Sequence, residues 1–376
     1  MNILITGGAG FIGTHTAVAL HAQGHGLRIL DALDPQIHGA GARFDEGLQR
    51  IAECQHGDVN DADDCARALD GIDAVFHFAA RTGVGQSMYD IGPYVSTNVL
   101  GTATLVETIV KQRVALRRFV LSSSRAVYGE GLFQCAEHGA LHPGPRSGTA
   151  MQAGDFHVHC PQCGAVMSAV PTPESCDPQP LSVYAMTKRN QEEYTEFAAR
   201  TFGLPAVTLR YFNVYGSGQS LKNPYTGVIS IFYGLLREGS ALSLYEGGLP
   251  VRDFVHVSDV VQANLRALDD GLKPGGVYNV GTGRPLRIGE VAEALAKATG
   301  TEPRFQDRGE FRVGDIFGCY ADLSRSRGEL GYEPQMDLDA GLAEFAAWAR
   351  SQQPENRYAE TVRELQAHGL FGRAQA

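Results

Sequence analysis

Short apolar runs closed by glycine recur through the first half of the chain, with longer stretches of helical spacing between them. Ile3, Leu4 and Ile5 follow one another without a polar break, which predicts a strand covered on both faces. A glycine turn over residues 6–13 comes next, and then an apolar pattern at Phe11, Ile12, Ala17, Val18 and Leu20 that predicts a helix. Further strands are expected at 27–30, 55–59, 74–78, 118–122 and 207–211, and a helix at 98–112. Strands alternating with helices predict an α/β fold, a doubly wound parallel sheet with helices on both faces. Ligands of such sheets sit beyond the carboxyl ends of the strands.

Residues 130–180 break this rhythm, being rich in Gly, Pro, His and Cys without periodicity. So long a stretch without structure of its own is unusual in a compact domain, so it reads as an insertion with its own organising device. Beyond Asn213 the chain changes character. A Gly- and Ser-rich loop over 215–225 precedes helices expected at 227–237, 288–299 and 338–350. The expected division is a first domain over 1–212 carrying the insertion, and a smaller lobe over 213–376 from which 251–281 returns to the first domain. The charged stretch after Pro354 reads as peripheral.

The 376 residues, 43% hydrophobic, suffice for one large core or for a domain with a second lobe. The formal charge of −10 disfavours an electrostatic grip on nucleic acid or on an anionic membrane. No apolar run approaches the length of a membrane span, and no basic leader precedes the first strand. The expectation is a cytoplasmic protein with neither nucleic-acid nor membrane partner. Of seven cysteines, Cys54, Cys65 and Cys319 are scattered, whereas Cys135, Cys160, Cys163 and Cys176 crowd the insertion. In a reducing compartment such crowding points to metal before disulfide.

The glycine turn carries the first chemistry. Gly7 permits a tight bend, Gly10 has no side chain to hold off a diphosphate, and Gly13 lets the helix approach the strand. The helix N-terminus, with Phe11 and Ile12, then offers N–H groups and partial positive charge to phosphate. Asp31 closes the second apolar run about 20 residues on, where a carboxylate accepts from both ribose hydroxyls of NAD and would repel the extra phosphate of NADP. The expected fold is therefore Rossmann-type and the expected cofactor NAD. Small residues after the fourth strand, in Phe78-Ala79-Ala80, leave room for it, and Asp58-Val59 falls beside the adenine.

Tyr184 and Lys188 stand four residues apart, on one face of a helix. An ammonium there favours the phenolate, and such a phenol is a suitable base for a sugar hydroxyl as hydride leaves the carbon. The lysine could also reach the nicotinamide ribose. Ser122-Ser123-Ser124 at the end of the fifth strand places a hydroxyl to share a hydrogen bond with the reacting oxygen.

TGGAGFIG, HFAA, SSSRAVYG, YAMTK and RYFNVYG occur in order and at family spacing, and the chain resembles the extended short-chain dehydrogenase/reductases of the NAD-dependent nucleotide-sugar epimerase/dehydratase group up to about Tyr332. The resemblance implies Tyr184 as acid/base, Lys188 as its helper and Ser124 as hydrogen-bonding partner. It implies cofactor contacts at Asp31, Asp58, Val59 and Ser122, with Asn98 in the supporting network. It also implies that Asn213, Arg252 and Arg312 hold the nucleotide sugar, the arginines on the diphosphate, and that Cys319 lies near the sugar ring. Dehydratases of the group carry an Asp-Glu pair after the fifth strand. No such pair stands at Ser124 and Arg125, so a 4-epimerase with tightly bound NAD and a transient 4-keto sugar is expected. A homodimer is the family expectation.

Cys135-x-x-His138 and Cys160-x-x-Cys163 form two knuckles able to close a tetrahedral structural zinc site, with His142, His157, His159 and Cys176 as spare candidates. An insertion of this kind, with NPYTGV and RVGDIFGCYAD, resembles bacterial dTDP-L-rhamnose 4-epimerases, which make dTDP-6-deoxy-L-talose. The alternatives are a UDP-hexose or UDP-uronate 4-epimerase, a 4-keto-sugar reductase, and a non-catalytic NAD-sensing zinc protein. Asp31 speaks against the NADPH a reductase would exchange, and the intact Tyr184 and Lys188 speak against a sensor.

Overall fold

The computed structural model describes residues 1–223, 225, 227–353 and 357–375. Seven strands build the central sheet: β1 (Asn2–Thr6), β2 (Gly26–Asp31), β3 (Glu53–His56), β4 (Ala74–His77), β5 (Arg118–Ser124), β6 (Ala206–Tyr211) and β7 (Gly276–Val280). Their order is β7-β6-β5-β4-β1-β2-β3, parallel throughout. The chain winds outwards from β1 in both directions, so the crossovers part between β1 and β4 and leave a crevice at their carboxyl ends.

Alternate residues of each strand feed opposite cores. Ile3, Ile5, Phe76 and Val120 pack on one face of the sheet, and Leu4, Val75, Phe119 and Leu121 on the other. This two-sided burial is the reason the strands read as unbroken apolar runs. The third strand ends at His56, earlier than its apolar pattern predicts, which puts Asp58 and Val59 in the loop beyond it. The helix expected at 98–112 begins with a widened turn over Val95–Leu100 and becomes α-helical over Gly101–Gln112.

The second lobe has a core of its own, built by Phe232, Tyr233, Val291, Leu295, Leu342 and Phe345. Helix Val257–Arg266 leaves that lobe and joins the first core through Val260 and Ala263. Its Asn264 donates to Thr16 Oγ1 on the first helix at 2.9 Å and accepts from the Tyr211 hydroxyl at 2.6 Å.

The insertion contains a small antiparallel sheet of Phe133–Cys135, Gly139–Leu141 and Ser168–Ala169, and a short helix Gly148–Gln152. Phe133, Val158 and Met167 give it a modest core together with Cys135 and Cys160. Helix Tyr358–Ala367 leads to strand Phe371–Arg373, which pairs antiparallel with Glu310–Arg312. The end of the chain is therefore built into the second lobe, contrary to the peripheral position its charge suggests. Pairing between distant segments, invisible in local composition, is the reason.

Candidate active site

A cavity of about 680 Å³ runs along the carboxyl ends of the sheet and under the second lobe. At one end lies the glycine turn. Gly7 has φ +68°, and a Cβ there would stand 2.7 Å from the Ala79 backbone nitrogen. A Cβ on Gly13 would meet the Gly7 carbonyl oxygen at 2.6 Å, so turn and helix are in contact. Gly10 caps helix Phe11–Ala22 without a side-chain bond, which leaves the first-turn N–H groups facing the cavity, as an anion site requires. Asp31 is 9% exposed and accepts from Ala9 N and Leu33 N, both at 2.9 Å. Two backbone bonds aim its carboxylate and leave lone pairs for a diol. Asp58, Val59, Phe78, Ala79, Ala80 and Ser122 share this wall, and the cradle fits NAD. Asn98 does not touch the cavity. Fully buried, it accepts from Arg81 N and donates to Arg81 O and Thr187 Oγ1, so it fixes the loop after β4 to the Tyr184 helix.

Tyr184 and Lys188 lie in the first turns of helix Val183–Phe202, whose N-cap Ser182 accepts from Ala185 N. The Ser124 side chain at the end of β5 faces the Tyr184 phenol and favours its ionised form. Burial pushes the phenol above its usual range, while the Ser124 side chain and the Arg125 charge work against burial. Helical spacing alone assigns that cation to Lys188, and here the geometry differs. Lys188 Nζ donates to Ser122 O at 2.8 Å, and burial draws the ammonium down to about 7, with Glu192 opposing. Behind it Glu192 accepts from Ser123 Oγ at 2.6 Å and from Arg210 through two nitrogens, each at 2.8 Å. This buried pair stiffens the floor under the reacting groups.

The second lobe supplies the remaining wall. Asn213 follows β6 and lines the cavity, its Oδ1 buried without a hydrogen-bond partner. Arg312 lies on the Tyr245 ring, 4.7 Å from its centroid, and its Nε is likewise unpartnered. Such orphaned groups are costly unless a ligand supplies the bonds. Arg252 also lines the cavity, but both its terminal nitrogens already bond within the protein, to Val251 O, Phe317 O, Ile316 O and Asp315 Oδ1. It holds the loop that follows Arg312. Cys319 is fully buried and off the cavity wall, its sulfur 3.9 Å from Thr172 Oγ1.

Sequence reasoning did not find Arg146, Glu130 and Glu246. Arg146, from the insertion, donates to Glu246 Oε2 at 2.6 Å and Oε1 at 3.1 Å, to Glu130 Oε1 at 3.2 Å and to Asp315 O at 2.9 Å. Glu130 also accepts from Phe317 N and Gly318 N. This buried network ties the insertion to the loop that carries Arg312 and Asp315. Tyr358, Thr361 and Leu365 of the last helix also line the cavity, and Tyr358 shares a hydroxyl hydrogen bond with Tyr245 at 2.8 Å. The expected ligand loop at 215–225 contributes Tyr215, Gln219, Ser220, Asn223 and Tyr225, while Pro224 and Thr226 of the NPYTGV motif lie outside the described residues.

Away from the cavity, one ligand atom each of Cys135, His138, Cys160 and Cys163 lies within 4.8 Å of all the others. Cys135 Sγ is 3.7 Å from both His138 Nδ1 and Cys163 Sγ, and Cys160 Sγ is 3.5 Å from His138 Nδ1. The spare candidates are engaged elsewhere: His142 with Tyr128 O and Glu130 O, His157 and His159 with Asp155, and Cys176 against the main core. Among the described residues no helix is long and apolar enough to cross a membrane.

The NAD dependent epimerase/dehydratase family matches the chain over residues 3–152 and 160–281. A dTDP-L-rhamnose 4-epimerase of Burkholderia thailandensis is 36% identical over 349 residues, covering 92% of this chain and 94% of the relative. A UDP-glucuronate 4-epimerase of Arabidopsis thaliana is 28% identical, covering 92% and 76%. Among solved structures, the UDP-glucose 4-epimerase of Thermotoga maritima with UDP-glucose superposes with a TM-score of 0.76 at 31% identity, covering 93% and 99%. The UDP-glucuronic acid 4-epimerase of Bacillus cereus, with UDP-glucuronic acid and NAD, gives 0.76 at 26%, with the same coverage. The chain belongs to the NAD dependent epimerase/dehydratase family. Within it, the class is that of the NAD-dependent nucleotide-sugar 4-epimerases.

Proposed function

We propose that the enzyme interconverts dTDP-L-rhamnose and dTDP-6-deoxy-L-talose. The 36% identity to the Burkholderia enzyme along nearly the whole of both chains carries this choice of substrate. A UDP-hexose or UDP-uronate is the second reading, favoured by the solved structures that hold UDP sugars. Held by the cradle of Gly7, Gly10, Gly13 and Asp31, NAD would supply the hydride acceptor and donor for C4 of the sugar. The chain's own residues do the rest. Tyr184 removes the proton from the C4 hydroxyl and gives it back, Ser124 shares a hydrogen bond with the same oxygen, and Lys188 anchors the strand end beside them. Asn213 and Arg312 offer unpartnered polar atoms to the nucleotide sugar. Arginine suits diphosphate through its planar fork. Arg252 contributes by holding the Arg312 loop and, through its remaining Nε, by charge.

In the insertion, Cys135, His138, Cys160 and Cys163 bind one structural zinc. Its support is that three of their ligand-atom separations are 3.5–3.7 Å, close to the edge of a tetrahedron with bonds of about 2.0–2.3 Å, with all four atoms within 4.8 Å of one another. The enzyme forms a homodimer through helix Val183–Phe202 and the widened turn Val95–Leu100 that leads into the helix beside it. Val95, Leu100, Met186, Tyr194 and Phe197 expose an apolar strip there that a monomer would leave in water.

The deciding experiment incubates the protein with dTDP-, UDP- and GDP-sugars and reads product stereochemistry by NMR. Inversion at C4 of dTDP-L-rhamnose, abolished by Tyr184→Phe with NAD retained, is the expected result. Turnover of UDP-sugars alone would reject the dTDP reading, and near-normal turnover by Tyr184→Phe would remove Tyr184 from the mechanism.

A further inference from the structure

Arg125 follows Ser124 directly and opens the short turn Arg125–Tyr128 after β5. Its guanidinium lies in the cavity wall, with Tyr184, Arg252, Asp315 and Cys319 as its charged and titratable neighbours. The acids nearby are already committed. Asp315 accepts from Arg252 at 2.9 Å, and Glu130 and Glu246 accept from Arg146. Among the described residues, Arg125 itself has no hydrogen bond and no ion pair. A guanidinium carries five donors, and a half-buried one without partners costs free energy, more so with the like charge of Arg252 beside it. The other arginines of this region show what a satisfied one looks like. Arg146 and Arg252 each make four or more hydrogen bonds inside the protein.

An unpartnered cation at this position has a ligand to meet, and its place says which part. It adjoins Tyr184 and Ser124, the groups that act on the reacting carbon, so it faces the sugar unit. Resting on the nucleotide-sugar reading, we propose that Arg125 is a substrate-binding residue whose guanidinium donates paired hydrogen bonds to an oxygen pair of the pyranose held against Tyr184. It thereby selects sugars that present a vicinal diol or a carboxylate on that edge over sugars deoxygenated or acylated there. A planar fork reads such a pair, which a single ammonium does not. Rejection of a sugar lacking the pair follows because the bound sugar then shields the fork from water without supplying it with acceptors.

The test compares wild type, Arg125→Met and Arg125→Lys. Calorimetry gives Kd for dTDP-L-rhamnose, for UDP-glucuronate and for the sugar-free dTDP and UDP, and kinetics give kcat/KM. Arg125→Met is expected to bind the nucleotide sugar about 10- to 100-fold more weakly, with the nucleoside diphosphate unchanged to within about twofold. The unchanged value also shows that the variant is folded. Arg125→Lys should fall between the two, keeping the charge and losing the fork. A loss confined to the uronate names the carboxylate as the partner, and a loss on the neutral sugar names the diol. Equal affinity of Arg125→Met and wild type for every sugar nucleotide overturns the proposal, as does a parallel loss for the nucleoside diphosphate, which would place Arg125 on the phosphates. Absence of epimerisation by the wild type would instead reject the function, while the difference in Kd between sugar nucleotide and diphosphate would still decide the role of Arg125.

Discussion

Tyr184 works under opposed influences. Burial holds its proton, while the Ser124 side chain and the Arg125 charge loosen it. Removing Ser124 therefore moves the ionisation upwards, since the interaction that favours the phenolate is gone. Ser124→Ala is expected to lower kcat about 10- to 100-fold and to shift the rising limb of the pH–kcat profile to higher pH. A profile with an unmoved limb would separate Ser124 from the ionisation of Tyr184. Asp31 does more than its distance from the glycine turn implies. Besides facing the cavity it accepts from Ala9 N and Leu33 N, so Asp31→Ala strands two backbone donors. Weaker NAD binding, by about tenfold or more, and relaxed discrimination against NADP are both expected, with a lower Tm even in the absence of cofactor. Unchanged NAD affinity measured by fluorescence would show that the carboxylate does not meet the ribose.

The insertion is the element whose role reaches furthest from its own residues. Its core is small, so metal ligation would supply folding free energy that packing does not. Elemental analysis should find about one zinc per chain. Cys160→Ser should lose it and open residues 130–180 to protease, leaving NAD binding intact because the central sheet does not need the insertion. Metal-free wild type with a protease-resistant insertion would reject the site. Arg146 links this element to the cavity wall through Glu246 and Asp315. Arg146→Met would leave Glu130 and Glu246 buried without their cation, a loss on the order of 3–5 kcal/mol for a broken buried pair. Because Glu130 and Asp315 lie in the loop network around Arg312, the expected kinetic signature is a raised KM for the nucleotide sugar at unchanged NAD affinity. A fall in kcat with KM unaltered would place the effect at Tyr184 instead. The two predictions are coupled, since loss of zinc should reproduce part of the Arg146→Met phenotype.

At the scale of the whole molecule, the two lobes and the end of the chain enclose one cavity. Tyr89 donates to Glu364 at 2.8 Å and stacks on His368 with ring centroids 4.4 Å apart, while Tyr225 also hydrogen-bonds Glu364. The last helix is thus fastened to both lobes. Truncation after residue 353 should raise KM for the nucleotide sugar while NAD stays bound, because Tyr358, Thr361 and Leu365 line the cavity and Tyr358 hydrogen-bonds the Tyr245 that underlies Arg312. Unaltered KM would show that this wall is not part of the sugar-nucleotide site. The origin of each feature divides by range. The parallel sheet, the glycine cradle, Asp31 and the Tyr184–Lys188 pair were legible in the sequence because each depends on residues within about one turn or one strand of one another: apolar runs, left-handed glycine, helical spacing. The Cys135, His138, Cys160 and Cys163 set was legible too, since each knuckle is local, though the choice among spare histidines was not. What only the tertiary structure decided is which groups meet across the chain. Arg252 was engaged by Asp315 on the cavity wall, and Asn98 was withdrawn behind it. Cys319 was buried off the cavity wall, Arg146 was carried from the insertion to Glu246, and the last helix was brought over the cavity. These outcomes depend on how buried charges and polar atoms find partners on distant elements, and local pattern carries no record of that pairing.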